Sequence, residues 1–237
     1  VKEASRRKES GFIWHTTGSG KTITSSNVTK NLLETNLSNV NAIFLIDRKY
    51  LDQQPTISFQ SYAKTTGDSI EETENTKALE NCLKSKDRIV IVATRQKLDC
   101  LLDKCEKAIE SGNENAYYYK VAKKLKDKHI AFVVDECHRA ISSQAKIRIG
   151  KCFDNSMKKS LWYGFTGTPI FAENKKAELG KAARTTELQY GNCLHQYTIK
   201  EALHDHGLSY SRSIIHELSP SIDGAFADFM EILEQNQ

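Results

Sequence analysis

The sequence predicts an α/β domain with a mainly parallel sheet and helices on both faces. Three observations predict it. Short β-branched, apolar runs recur along the chain, and longer polar stretches with helical spacing separate them. The chemically conspicuous residues fall directly after those runs. Strands that are apolar throughout fit a sheet covered on both sides, and ligands in such folds collect at the strands' carboxyl ends.

In order, residues 11–14 form the first expected strand and residues 21–34 a helix. Residues 42–46 and 89–93 are strands, and residues 96–110 a second helix. Between them, the acidic stretch 68–77 reads as a surface loop or helix start. Residues 113–128 read as an exposed insertion, with Tyr117, Tyr118 and Tyr119 partly packed on the body. Residues 130–134 and 161–165 complete the expected strands, and residues 221–235 have helical spacing. There are no repeats and no low-complexity tract.

A length of 237 residues suits one large domain, or a domain with part of a second. The 39% hydrophobic content supplies a core, while 27% charged residues with 3 prolines argues against a disordered tract. The net charge of +4 is compatible with nucleic acid without requiring it. Basic clusters at Arg6-Arg7-Lys8, Lys123-Lys124 and Lys158-Lys159 read as solvated surface, since no aromatics interleave them. None of the 6 cysteines lies in a C-x-x-C pair, which argues against zinc, and no signal peptide is visible. A reduced, cytosolic protein is expected. No apolar run is long enough to cross a bilayer. Val1 is not a start residue, so the chain reads as a piece of something larger.

The phosphate chemistry starts at His15-Thr16-Thr17-Gly18-Ser19-Gly20-Lys21-Thr22, between the first strand and the first helix. A glycine-rich loop in that setting cradles polyphosphate with backbone N–H groups and the helix dipole. Thr17, Gly18, Ser19, Gly20, Lys21 and Thr22 are the expected nucleotide-binding residues. Lys21 would reach the β- and γ-phosphates, and the Thr22 hydroxyl would ligate Mg²⁺. The broad pattern opens with glycine six positions before the lysine; here that position is His15.

Asp135-Glu136-Cys137-His138 ends another apolar run. Adjacent carboxylates at the end of a buried strand are costly without a cation or a reaction to employ them. Asp135 is therefore assigned to Mg²⁺, Glu136 to the attacking water as general base, and His138 to sensing the γ-phosphate. The alternative for Asp135 is a helix cap. Thr166-Gly167-Thr168-Pro169 follows the last expected strand, with hydroxyls placed to couple the acidic cluster to a neighbouring domain. Alone it would equally be an ordinary turn.

This order of motifs resembles the first RecA-like motor domain of superfamily 2 helicases and translocases. Trp14 to Thr22 and Gly164-Phe165-Thr166-Gly167-Thr168-Pro169-Ile170-Phe171 closely resemble the restriction (R) subunit of type I restriction–modification enzymes. The stretch from Tyr190 to Leu203 is similar to that family's passage toward its second motor domain, and Cys137 stands where alanine is more usual. The resemblance implies a RecA-like P-loop NTPase over residues 1–207, with residues 208–237 starting the passage into the second lobe. It implies ATP and Mg²⁺ as cofactors and double-stranded DNA as track, pulled and cleaved in an enzyme with methylation and specificity subunits. That enzyme would work in a bacterial or archaeal cytoplasm. Arg48, Thr94 and Gln96 fall at the family's strand-contacting motifs, and their donors suit phosphodiester oxygens. For Arg48 a structural salt bridge serves equally well. The family's nuclease domain and the second lobe with its arginine finger have no counterpart in these residues. The rival readings are another superfamily 2 motor and a nucleotide-binding switch that does not turn over.

Overall fold

A computed structural model of the chain describes residues 1–16, 18–34, 40–46, 70–72, 75–85, 89–155, 159–172 and 185–206. Thr17, Arg48, the segment 208–237 and the side chain of Thr22 lie outside the described residues. In chain order the elements are α1 (Lys2–Arg6), β1 (Gly11–His15), α2 (Lys21–Glu34), β2 (Val40–Ile46), β3 (Ile70–Glu72) and α3 (Thr76–Lys84). There follow β4 (Val90–Thr94), α4 (Arg95–Glu110), α5 (Tyr117–Lys126), β5 (His129–Val134) and α6 (Cys137–Ala140). The last are α7 (Ser143–Phe153), β6 (Leu161–Thr166), α8 (Thr186–Tyr190), β7 (Cys193–Tyr197) and α9 (Ile199–His206).

The strands form one seven-stranded sheet in the order β3-β4-β2-β5-β6-β1-β7. Every neighbouring pair runs parallel. Side chains alternate between two apolar layers, as the period of two along a strand requires. Phe12, Ile43, Leu45, Ile91, Phe132, Val134 and Trp162 join one layer. Ile13, Phe44, Ile46, Val92, Val133, Tyr163 and Phe165 join the other. The first layer is closed by α3, α4, α5 and α7, and the second by α1 and α2. Both faces are therefore covered, as the uninterrupted apolar runs predict.

Helix α4 shows why its sequence folds as it does. Leu98, Leu101, Leu102 and Cys105 recur on one helical face and are buried, while Thr94 caps the N-terminus by accepting from Lys97 N. Arg148 of α7 locks onto it, with Nε 2.9 Å and 3.0 Å from the two Glu106 carboxylate oxygens and Nη2 also reaching Asp103.

Two features differ from the sequence reading. Residues 117–126 are a packed helix and not an exposed insertion, because Val121, Ala122 and Leu125 bury one side of a lysine-rich segment. The strands β3 and β7 were not expected. Strand β7 is polar and largely exposed at a sheet edge, where one side has no partner strand among the described residues and little apolar surface is needed.

Candidate nucleotide site

Because β5, β6 and β1 are neighbours and parallel, their carboxyl ends bring three motifs together. From β1 the chain leaves through Thr16, whose N–H donates to Tyr197 O at 2.9 Å. Its carbonyl then organises the loop, accepting from Ser19 Oγ at 2.6 Å and from Lys21 Nζ at 3.3 Å. Gly20 has φ +78°, a backbone setting that a Cβ would strain even though the space around it is open. Helix α2 starts at Lys21, so the loop's N–H groups sit at the helix N-terminus where anions are favoured.

The acidic motif follows β5. Asp135 N–H donates to Leu45 O, and its carboxylate accepts from Glu136 N–H at 3.0 Å. Burial, and then the Glu136 charge, push the Asp135 carboxyl up to about 6. Asp135 is thus not the helix cap; Glu136 precedes α6, without any side-chain cap bond. Glu136 is left-handed, at φ 45° and ψ 49°. For a non-glycine residue that conformation costs about 1 kcal/mol or more. It aims the carboxylate between two partners: Oε1 lies 3.9 Å from Lys21 Nζ, and Oε2 lies 3.6 Å from His138 Nδ1. Lys21 is itself buried, so its ammonium stands in a low-dielectric pocket between loop and acidic motif.

His138 connects onward to β6. Its Nδ1 is 2.8 Å from Thr166 Oγ1, and its Nε2 is 3.3 Å from Thr168 Oγ1. Thr166 Oγ1 also accepts from Thr168 N–H at 3.0 Å, which folds the turn back on itself. Burial lowers the His138 pKa against the opposing pull of Glu136. Trp14 donates its indole N–H to Gly167 O at 3.2 Å and meets Phe171 edge-on at 5.3 Å between centroids, so β1 also holds the threonine turn. The sequence reading gave Trp14 no role, and nothing local signals one.

A magnesium ion fits this donor set. Asp135 offers a hard oxygen whose burial and like-charged neighbour a divalent cation would offset. Mg²⁺ in nucleotide sites is held by one or two protein oxygens together with phosphates and water. No cluster of three or more His, Cys, Asp or Glu able to hold a metal occurs among the described residues. All six cysteines are free thiols.

The DNA candidates sit farther along the same edge. Thr94 ends β4, beyond β2, and is buried; its hydroxyl caps α4 through Lys97 N at 3.4 Å. Gln96 is exposed in the first turn of α4. Strand β2 lies between β4 and β5, so neither residue shares a strand end with Lys21 or Glu136.

A glycine-rich loop, a buried lysine and paired carboxylates at the carboxyl edge of a parallel sheet define a RecA-like P-loop NTPase domain. The profile of the SWI2/SNF2 ATPase family matches residues 1–237, and the chain belongs to that family. It is 37% identical over 205 residues to the endonuclease subunit of type I restriction enzyme SsaAORF53P from Staphylococcus saprophyticus. It is 35% identical over 205 residues to that of SauMSSORF170P from Staphylococcus aureus. Each match covers 86% of this chain, and the chain spans 19% of each relative's length. Among solved structures, a nuclease-deletion mutant of the Type ISP restriction-modification enzyme LlaGI in complex with a DNA substrate mimic aligns with a TM-score of 0.49 and 16% identity. That alignment covers 98% of this chain and 23% of the other. No helix among the described residues is long and apolar enough to cross a membrane.

Proposed function

We propose that the chain is the first motor domain of a type I restriction endonuclease subunit, hydrolysing ATP to pull double-stranded DNA. The whole protein would work with methylation and specificity subunits in a bacterial or archaeal cytoplasm and cut unmodified DNA. The observation that carries this reading is the buried Lys21 ammonium 3.9 Å from the Glu136 carboxylate, at the end of a phosphate-type loop.

Residues 17–22 bind the polyphosphate through backbone N–H groups, with Lys21 on the β- and γ-phosphates. Asp135 and Thr22 are the residues that would hold Mg²⁺, which supplies neutralisation of phosphate charge when bound. Glu136 orients a water and takes its proton as the water oxygen bonds to the γ-phosphorus. The bond from that phosphorus to the bridging oxygen breaks, giving ADP and phosphate. His138 links Glu136 to Thr166, Gly167 and Thr168, through which the nucleotide state would reach the DNA track. Arg48, Thr94 and Gln96 serve that track, Thr94 through the start of α4 that it caps.

The test is made in the full-length protein. Lys21→Ala is expected to abolish DNA-dependent phosphate release, and Glu136→Gln to bind ATP while hydrolysing it very slowly. Near-normal turnover by Glu136→Gln removes Glu136 from catalysis. No phosphate release by the unaltered protein with DNA leaves the non-hydrolysing switch as the reading.

A further inference from the structure

The phosphate loop is tied to the edge strand β7 at two consecutive residues. Thr16 N–H donates to Tyr197 O, and the His15 ring meets the His195 ring with Nε2 2.8 Å from Nδ1. His15 is only 8% exposed, and its other nitrogen, Nδ1, is buried with no hydrogen-bond partner.

That orphan nitrogen assigns the shared proton. A bond between two imidazoles needs one N–H and one lone pair. If His195 donated, the proton of His15 would sit on the buried Nδ1 with no acceptor, and a stranded buried N–H loses its bond to water without replacement. If His15 donates from Nε2, only a lone pair is stranded, and the exposed His195 carries its own proton on Nε2. Burial, with the Lys21 charge adding, lowers the His15 pKa and keeps the ring neutral, as a one-proton bond requires.

The bond acts on the loop through Thr16. Its N–H is held by β7, and its carbonyl gathers Ser19 and Lys21. We propose that His195 is a positioning residue for the phosphate-binding loop: its Nδ1 accepts the Nε2–H of His15, fixing the strand end from which Thr16 presents Lys21. The proposal rests on the ATPase reading above and adds to it a residue outside the loop, on the strand that leads toward α9.

The experiment uses the full-length protein, with affinity for a non-hydrolysable ATP analogue with Mg²⁺ and the KM and kcat of DNA-dependent ATP hydrolysis as readouts. His195→Phe keeps a ring but removes the acceptor. It is expected to raise both the analogue Kd and the KM for ATP about tenfold, with kcat changed less than about twofold. His195→Asn places an amide oxygen near the position of Nδ1 and is expected to restore both to within about threefold of the unaltered protein. His195→Ala also lacks the acceptor and should behave as His195→Phe does, so the test survives failure of one variant to fold. Unchanged affinity in the Phe and Ala variants, a loss confined to kcat, or an Asn variant no better than Phe overturns the proposal. A different pattern, in which Lys21→Ala binds the analogue as tightly as the unaltered protein, overturns the ATPase reading itself.

Discussion

His138 Nδ1 and Thr166 Oγ1, 28 residues apart, stand 2.8 Å from each other across the ends of β5 and β6. Thr166 is fully buried and also receives Thr168 N–H, so one hydroxyl joins the acidic motif to the threonine turn. A valine there would keep the shape and remove the oxygen. Thr166→Val is expected to reduce DNA-stimulated ATP hydrolysis about tenfold while leaving nucleotide affinity unchanged. Stimulated and unstimulated phosphate release, measured beside nucleotide titrations, check this. A variant whose stimulation is intact would show that the hydroxyl does not couple the two motifs.

Gly164 lies under α6, where an added Cβ would come 2.6 Å from Cys137 Sγ and 3.1 Å from Tyr190 Cδ1. Cores resist such insertions, and Gly164→Ala is expected to destabilise the domain by about 1–3 kcal/mol. Pairing it with Cys137→Ala removes the closest atom and should recover part of the loss, because contacting residues couple in double-mutant cycles. Denaturant melts of the two single variants and the pair give the coupling. Strict additivity would mean the sulfur is not what Gly164 makes room for.

Lys146 of α7 is wedged beside Trp162 and Tyr190, its ammonium 5.2 Å and 5.1 Å from the ring centroids, and it donates to Gln189 O. Burial pulls its pKa down from 10.5 to about 8. A lowered lysine pKa means that the folded state binds the proton less tightly than the unfolded chain does. The resulting penalty is complete below pH 8 and lifts as pH rises from 8 to 10.5. The stability of Lys146→Met relative to the unaltered chain should therefore fall over that window. Denaturation midpoints of both proteins across it provide the check, and a constant difference would contradict the shift.

The 237-residue chain on its own is expected to be a slow ATPase even with DNA present. RecA-like sites close between two lobes, and an arginine finger from the second contributes about 10³–10⁵ in rate. Phosphate release by the isolated chain, set against that of the full-length protein, measures the difference. Comparable rates would locate the missing transition-state charge within these residues.

Much of this organisation is legible in the sequence, for physical reasons that also mark where legibility stops. The five apolar strands stand out because a sheet covered on both faces needs apolar residues at every position. The glycine-rich loop and the Asp135-Glu136 pair stand out because each is an unbroken run of neighbouring residues directly after a strand. Helix α5 is obscured because Lys120, Lys123, Lys124 and Lys126 outnumber its three buried apolar residues. Strand β7 is obscured by its edge position. The His15–His195 and Trp14–Gly167 bonds join residues 180 and 153 positions apart, and only the strand order brings them together. Thr94 carries a second task that its strand-end position alone does not announce: its hydroxyl caps the helix that follows.

The placement of β1 between β6 and β7 also governs when the domain acquires its activity during synthesis. β1 emerges from the ribosome first, yet both strands that pair with it are among the last of the sheet to be made. At about 5–20 residues per second, the wait is of the order of ten seconds or more. In that interval β2, β4 and β5 can assemble with their helices, while Phe12, Ile13 and Trp14 stay without their neighbours. The nascent chain therefore gains a sheet before it gains a grip on nucleotide, and a ribosome stalled before β6 would release a partly folded product unable to use ATP.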